Sequence, residues 1–510
     1  MKIRKGWIVT LLVVGFASPV VAEPLALKEA LVMGLQHNFD LKVAQLDVVR
    51  SEGAVMAQEG RFDVMLELSG GQSEAEIPTA SALYPGDTLE TESLSGEAAL
   101  AKQFDIGLQS RLSLQGVRTE GASSDALADQ LDPSYQANLV LDFTQPLLKD
   151  FGWDANLADL KVAETRRQQA ALAYLGRAEQ LVAEIEAAYL ELLQANEEQR
   201  YYTLARDLAQ ELLAGNERKL DAGLIPVSEV NQARSAVAGR EESMLLAEQR
   251  ASVARNVLAD LLLHGELTTP ASAWEVDFPP QEGNTVLSLE VALAKGFKQR
   301  PDLRSARLDT EVRHIELAYA DNQRWPRLDL VGSFALNGLA GDDAGAGSRY
   351  VGDWNDALDG ALAEDGNQWY AGLSISMPLQ NRGARGAYNA AEASDRQALY
   401  ALQRAEIGAE HAIRTAWTNL GLGKQRFEVA TRAAELAAIT LEQESRRLTE
   451  GLSDTFRVLS YQDALVAARI REVAARIDYQ QALNALYQVM GNSLERYEIA
   501  AALPREGARP

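Results

Sequence analysis

The chemistry open to this chain is limited by the residues that it lacks and by the spacing of those that it has. The 510-residue sequence contains no cysteine, which excludes disulfides, thiolate metal sites and cysteine nucleophiles. None of its four histidines lies four residues from another with an acid between them, as a zinc-binding helix requires; they are His37, His264, His314 and His411. We find no phosphate-binding glycine loop and no GxSxG nucleophile elbow. The sequence therefore predicts no catalytic residue, no cofactor and no metal.

One acidic segment in the second half carries oxygen ligands of the kind that a hard cation accepts. Its aspartates are Asp342, Asp343, Asp353, Asp356 and Asp359. Their spacing is not that of an EF-hand loop. We therefore expect a solvated extracellular loop at this place rather than a metal site.

The charge balance is strongly acidic, with 49 lysines and arginines against 73 aspartates and glutamates. Such a chain lacks the basic surface that attracts phosphate backbones, so we expect no nucleic-acid partner. The excess acid either covers a solvated surface or lines a lumen that attracts cations, and the composition is compatible with both alternatives.

The N-terminus has the pattern of a secretory signal peptide. Lys2, Arg4 and Lys5 precede an apolar run, and small residues ending at Ala22 offer a cleavage site, so residues 1–22 are predicted to be removed. The alternative is an uncleaved anchor, but the apolar run is about half of the roughly 20 residues that span a bilayer as a helix. No later stretch is long and apolar enough. If the mature chain crosses a membrane, it does so with β-strands.

Self-comparison reveals an internal repeat. The segment LALKEALVMGLQHNFDLKVAQLD from Leu25 returns as LSLEVALAKGFKQRPDLRSARLD from Leu287, and RKLDAGLIPVSEVNQA from Arg218 returns as RRLTEGLSDTFRVLSYQ from Arg446. We predict a first repeat over 23–270, a linker over 271–286, a second repeat over 287–495 and a C-terminal tail over 496–510.

Each predicted repeat combines alternating strands with long helices. Leu139, Leu141 and Phe143 alternate with polar residues. Apolar and polar residues also alternate within the ranges 328–336, 369–377 and 64–68. Such alternation is typical of membrane strands but also of half-buried strands in a soluble sandwich. The nearby tryptophans Trp153, Trp325, Trp354 and Trp369 favour the membrane alternative. Two helical runs separated by residues 223–226 predict a helical hairpin with a tip near 223–226, and its counterpart has a tip near 451–454.

These motifs together resemble the TolC-like outer-membrane efflux protein family. The resemblance rests on NFDL at Asn38, RPDL at Arg300, TQPLL at Thr144, SMPL at Ser376 and the Gly-Leu tips at Gly223 and Gly451. It implies an α+β membrane protein: a homotrimer with about four strands per chain in one transmembrane barrel, continuous with a long periplasmic helical barrel. An oligomer is also expected because so few strands leave open edges in lipid.

The resemblance implies the exit duct of a tripartite efflux or type I secretion system in the outer membrane of a Gram-negative bacterium. The duct that it implies is passive, with a periplasmic membrane-fusion adaptor that would join it to an inner-membrane transporter. The residues that match the adaptor-contacting tips are Gly223, Leu224, Gly451 and Leu452. The alternative from another class is a soluble periplasmic coiled-coil adaptor or scaffold.

The sequence departs from the family pattern at two places. Residues 97–118 form an extra alternating pair, which either lies above the membrane or enlarges the barrel, and we expect the former. Family members carry an acidic pair after the second tip where this chain has Arg457 and Ser460, whereas Glu229 follows the first tip. We take these three residues as periplasmic gate candidates. Glu229 and Arg457 either form a salt bridge or are two solvated charges on helix surfaces.

Overall fold

The computed structural model describes residues 25–78, 88–121, 131–263, 274–279, 288–343, 349–364 and 366–499. The predicted signal peptide lies outside these ranges, as does most of the predicted linker. Among the helices of the described residues, none has the length and apolar character needed to cross a membrane.

The first half of the chain contains α1 (Leu27–His37), α2 (Phe39–Glu59), β1 (Met65–Pro78), β2 (Thr88–Gln103), β3 (Gln109–Glu120), β4 (Leu131–Pro146), α3 (Trp153–Asn156), α4 (Ala158–Asp221) and α5 (Val227–Leu263). The second half contains α6 (Leu289–Gln299), α7 (Pro301–Asn322), β5 (Arg327–Asp343), α8 (Trp354–Leu362), β6 (Gly366–Ser376), α9 (Arg382–Thr449), α10 (Thr455–Met490) and α11 (Ser493–Arg496). The two predicted helical hairpins are therefore α4–α5 and α9–α10.

The six strands form one antiparallel sheet in the order β1-β2-β3-β4-β5-β6. The sheet thus has two strands more than the about four predicted for the barrel, because residues 97–118 lie in β2 and β3 of this same sheet. The number of barrel strands stays a prediction. The alternation in β2 rests mainly on alanine, glycine and serine, which give a weak signal in sequence.

The two faces of the sheet differ in character. A row of cross-strand neighbours on one face is apolar and exposed in all six strands: Leu66, Leu100, Leu112, Leu141, Phe334 and Trp369. A row on the opposite face is polar: Ser69, Glu97, Gln115, Asn138 and Asn337. The register thus gives the sheet one apolar and one polar face, as the alternation in sequence predicts.

Helix α8 packs on the apolar face near the end of the strands. Its Ala357 and Ala361 are fully buried with Ala137 of β4 and Ala340 of β5. A Cβ at Gly338 would lie 1.9 Å from the carbonyl oxygen of Ala357, so only glycine permits this approach.

The contacts divide the chain into two units. One contains the sheet and, among the described residues, covers 45–173 and 302–406. The other covers 25–44, 174–301 and 407–499 and contains both hairpin tips. Its core includes the fully buried Leu31, Leu181 and Ile185, and a second cluster of Ala292, Ile413, Ala416, Leu420, Leu486 and Met490. These units cut across the predicted repeats, whose boundaries stay a prediction.

Candidate functional site at the hairpin tips

The first tip ends α4 with a Schellman motif. The backbone N–H of Leu224 donates to the carbonyl of Lys219 at 2.9 Å, and that of Gly223 donates to the carbonyl of Leu220 at 2.8 Å. Gly223 has φ of 73°, in the left-handed region. The turn directs Leu224 outward, and this residue is 73% exposed.

The second tip has the same geometry. The N–H of Leu452 donates to the carbonyl of Arg447 at 2.8 Å, and that of Gly451 donates to the carbonyl of Leu448 at 3.2 Å. Gly451 has φ of 74°, and Leu452 is 63% exposed. A Cβ on either tip glycine would have no atom within 4 Å, so backbone conformation rather than space requires glycine at both tips.

Each tip presents a second apolar residue that was not predicted from the sequence. Val227 begins α5, and Phe456 is the second residue of α10; both are exposed. An apolar residue in the first turn after the break is the signal that identifies them. Each tip therefore exposes a pair of apolar side chains.

The gate candidates have partners other than each other. Glu229 Oε2 accepts a hydrogen bond from Thr455 Oγ1 at 2.9 Å, and Thr455 Oγ1 accepts one from Asn216 Nδ2 at 3.2 Å. Arg457 lies beside Asp454, with Nε 3.4 Å from Oδ2. The hypothesised Glu229–Arg457 bridge is thus not formed within the chain, and Ser460 is exposed on α10. A gate role for the three residues remains a prediction.

A buried arginine, which was not predicted from the sequence, links the two hairpins near the tips. Arg240 of α5 donates to the carbonyl of Ala205 at 3.0 Å, to Gln462 Oε1 at 2.8 Å, to Asp463 Oδ1 at 2.9 Å and to the carbonyl of Leu459 at 3.3 Å. Its guanidinium therefore joins α5 to α4 and α10. An arginine in a charged helix looks like a surface residue in sequence, so no local signal identified it.

The sheet has one apolar and one polar face, which is typical of membrane strands. The family model described as Outer membrane efflux protein matches residues 31–262 and 295–492. The chain belongs to this family. It is accordingly a TolC-like protein of the Gram-negative outer membrane that extends into the periplasm.

Known relatives agree in sequence and in fold. Outer membrane protein TolC of Vibrio cholerae serotype O1 is 21% identical over 355 residues, which cover 68% of this chain and 76% of the relative. The Campylobacter jejuni CmeC outer membrane channel has a TM-score of 0.65 at 15% identity, covering 91% of this chain and 85% of that one. The Vibrio cholerae outer membrane protein VceC has a TM-score of 0.64 at 18% identity, covering 91% and 96%. This chain therefore shares the fold of these proteins.

Proposed function

We propose that this chain is one protomer of a homotrimeric exit duct that serves an efflux or type I secretion system. The main support is the exposed apolar row across all six strands. In the described sheet, β1 and β6 have a strand partner on one side only. Such edges are costly in lipid, and pairing β6 of one copy with β1 of the next satisfies them.

The helices also carry surface that further copies can cover. Leu422, Val429 and Leu436 of α9 are spaced by seven residues and are 54%, 57% and 64% exposed. A heptad row of exposed apolar residues is typical of a helix whose partner helix is in another chain. Three copies with two hairpins each then supply the helical barrel in the periplasm.

The coupling to other proteins is placed at the tips. Leu224 and Val227 on one tip and Leu452 and Phe456 on the other are exposed apolar residues, which suit the groove of a helical adaptor. The two tips share their turn geometry, in agreement with an internal two-fold repeat, so a trimer presents six similar tips. An inner-membrane transporter supplies the energy, and the duct performs no catalysis.

Membrane fractionation tests this function. We expect a trimer that requires detergent for extraction, dissociates on heating and separates with the outer membrane by density. Loss of the protein should abolish export by its partner transporter. A monomer released without detergent would contradict the proposal and favour the soluble adaptor instead.

A further inference from the structure

The hairpin β2–β3 has the dimensions of a membrane-spanning pair. β2 has 16 residues and β3 has 12, against 14 in β1 and 16 in β4. A tilted strand needs about 9–11 residues to cross a bilayer. Both strands therefore meet this requirement along their full pairing.

Two apolar rows pass through this hairpin without a break. Leu100 of β2 and Leu112 of β3 lie between Leu66 of β1 and Leu141 of β4. The next row contains Leu68, Ala98, Leu114, Leu139 and Leu336. Since β1 and β4 face lipid at this level in the proposed channel, the residues between them face lipid as well.

The opposite face of the hairpin is charged. Arg111 of β3 contacts Glu67 of β1, and its Nη2 lies 2.7 Å from Glu97 Oε1 of β2. Asp142 of β4 is the cross-strand neighbour of Arg111. Charged groups on a lipid face cost about 2–4 kcal/mol near the bilayer midplane, so this network belongs in a water-filled lumen.

The turn of the hairpin is fixed where β4 leads into α4. Trp153 Nε1 donates to Asp105 Oδ2 at 3.0 Å, and the N–H of Gly152 donates to the carbonyl of Ile106 at 3.3 Å. Gln145 Nε2 also donates to Ile106 at 3.4 Å. These bonds hold the turn at the helical end of the sheet, which is incompatible with a hairpin that lies above the membrane.

We infer that β2 and β3 are barrel strands and that three copies, each with six strands, close an eighteen-stranded barrel. This rests on the proposed trimeric channel. An even number of strands per chain makes β6 antiparallel to β1 of the next copy, as closure requires. Because diameter grows roughly linearly with strand number, the barrel is about one and a half times as wide as one of twelve strands. The outlet therefore admits bulkier cargo than a twelve-stranded outlet.

Single cysteines test the membrane position of the hairpin, since the chain has none of its own. Leu112→Cys on the apolar face is matched by its cross-strand neighbour Leu141→Cys, and Gln115→Cys on the polar face by Asn138→Cys. Brominated lipids should quench a fluorophore at Leu112→Cys as strongly as at Leu141→Cys. A membrane-impermeant maleimide should label both polar-face cysteines at least about tenfold faster than the two apolar-face cysteines. The inference would be overturned if the maleimide labels Leu112→Cys freely and brominated lipids do not quench its fluorophore, while Leu141→Cys is protected from the maleimide.

Deleting residues 88–120 tests the width. The end of β1 and the start of β4 lie at the same end of the sheet, so after the deletion β1 can pair with β4 in the register that aligns Leu66 with Leu141. We expect the deletion variant to form trimers with a smaller size cutoff for polymers added from the extracellular side. The diameter of the largest polymer that enters should be about one third smaller than for the full-length channel. An unchanged cutoff would overturn the inference, and if the shortened chain does not assemble, the cysteine results decide. Failure of the full-length chain to trimerise would instead contradict the proposed function.

Discussion

Gly34 of α1 leaves the space that Ile185 of α4 occupies: a Cβ on Gly34 would lie 2.4 Å from Ile185 Cδ1. Gly296 of α6 and Ile413 of α9 stand in the same relationship, also at 2.4 Å. Both isoleucines are fully buried. The short helix at the start of each predicted repeat therefore packs on a long helix through a glycine.

Replacing Gly34 by alanine should lower the stability of the trimer. Overpacking costs about 1–3 kcal/mol, against a gain of about 1 kcal/mol that alanine brings to a helix, and the fully buried Ile185 has little room to move aside. The thermal midpoint of trimer dissociation measures the effect. Gly53→Ala in α2, where a Cβ meets nothing within 4 Å, is the control and should be neutral or stabilising. Adding Ile185→Val, which removes the obstructing Cδ1, should restore Gly34→Ala; no rescue would contradict this account of the packing.

Replacing Leu224 and Leu452 together by aspartate should abolish export and crosslinking to the adaptor, because both exposed side chains are predicted to bind it. The trimer should still assemble, since neither leucine belongs to the core. The double methionine variant keeps the apolar surface and serves as the control. Normal export by the aspartate variant would show that the tips do not bind the adaptor, and loss of the trimer would show that the leucines are structural.

Arginine on the two faces of β6 should have opposite consequences. Leu373→Arg places a charge among exposed apolar residues and should cost about 2–4 kcal/mol of insertion near the bilayer midplane. Ser374→Arg, on the polar face beside Asp329, should be tolerated. The yield of outer-membrane trimer measures both variants. The reverse order would mean that the faces are assigned the wrong way round.

Removing the guanidinium of Arg240 should loosen α5 from α10 and raise the open fraction of the channel in planar bilayers. Arg240→Met leaves the carbonyl of Ala205 and the amide of Gln462 without this donor, at a cost of about 1–3 kcal/mol. Arg240→Lys should rescue only in part, because an ammonium lacks the planar fork. Arg234→Met breaks only an exposed pair with Glu217 and is the control. Equal effects of the two methionine variants would contradict a specific role for Arg240.

Because of Glu179, the stability of the folded chain should fall as the pH rises above about 4.5. Burial raises the pKa of Glu179 above its ordinary value of 4.5, although N–H groups of Ser493 and Leu494 bond its oxygens at 2.8 and 3.3 Å. The folded chain then holds the proton to higher pH than the unfolded chain, so stability is lost between the unfolded and the folded pKa.

Glu179→Gln should flatten the pH dependence of the thermal midpoint between pH 4 and 8, because its amide oxygen still accepts one N–H while the charge is gone. Glu191→Gln, at an exposed position of the same helix, should leave the dependence unchanged. A slope that stays the same in Glu179→Gln would show that another group titrates.

The features that the sequence predicted are those encoded locally. Gly223 and Gly451 each follow a long helix, and the turn that ends the helix requires a left-handed backbone at this position. That requirement can be read from the local sequence. The partners of Glu229 and Arg240 depend on how three helices are rotated against one another, which periodicity does not specify. The alternation of residues 97–118 is visible in sequence, but its place in the sheet is not, because the pairing of Leu100 with Leu66 and of Leu112 with Leu141 depends on contacts between distant segments.

In the proposed orientation, helix α8 lies at the extracellular end of the sheet. Because Gly338 lets α8 lie against the sheet, the exposed Asp356 and Asp359 are presented on a fixed helix. This acidic surface is a conformational epitope rather than a linear one. An antibody against this surface would therefore bind the folded chain and lose its target when the chain is denatured.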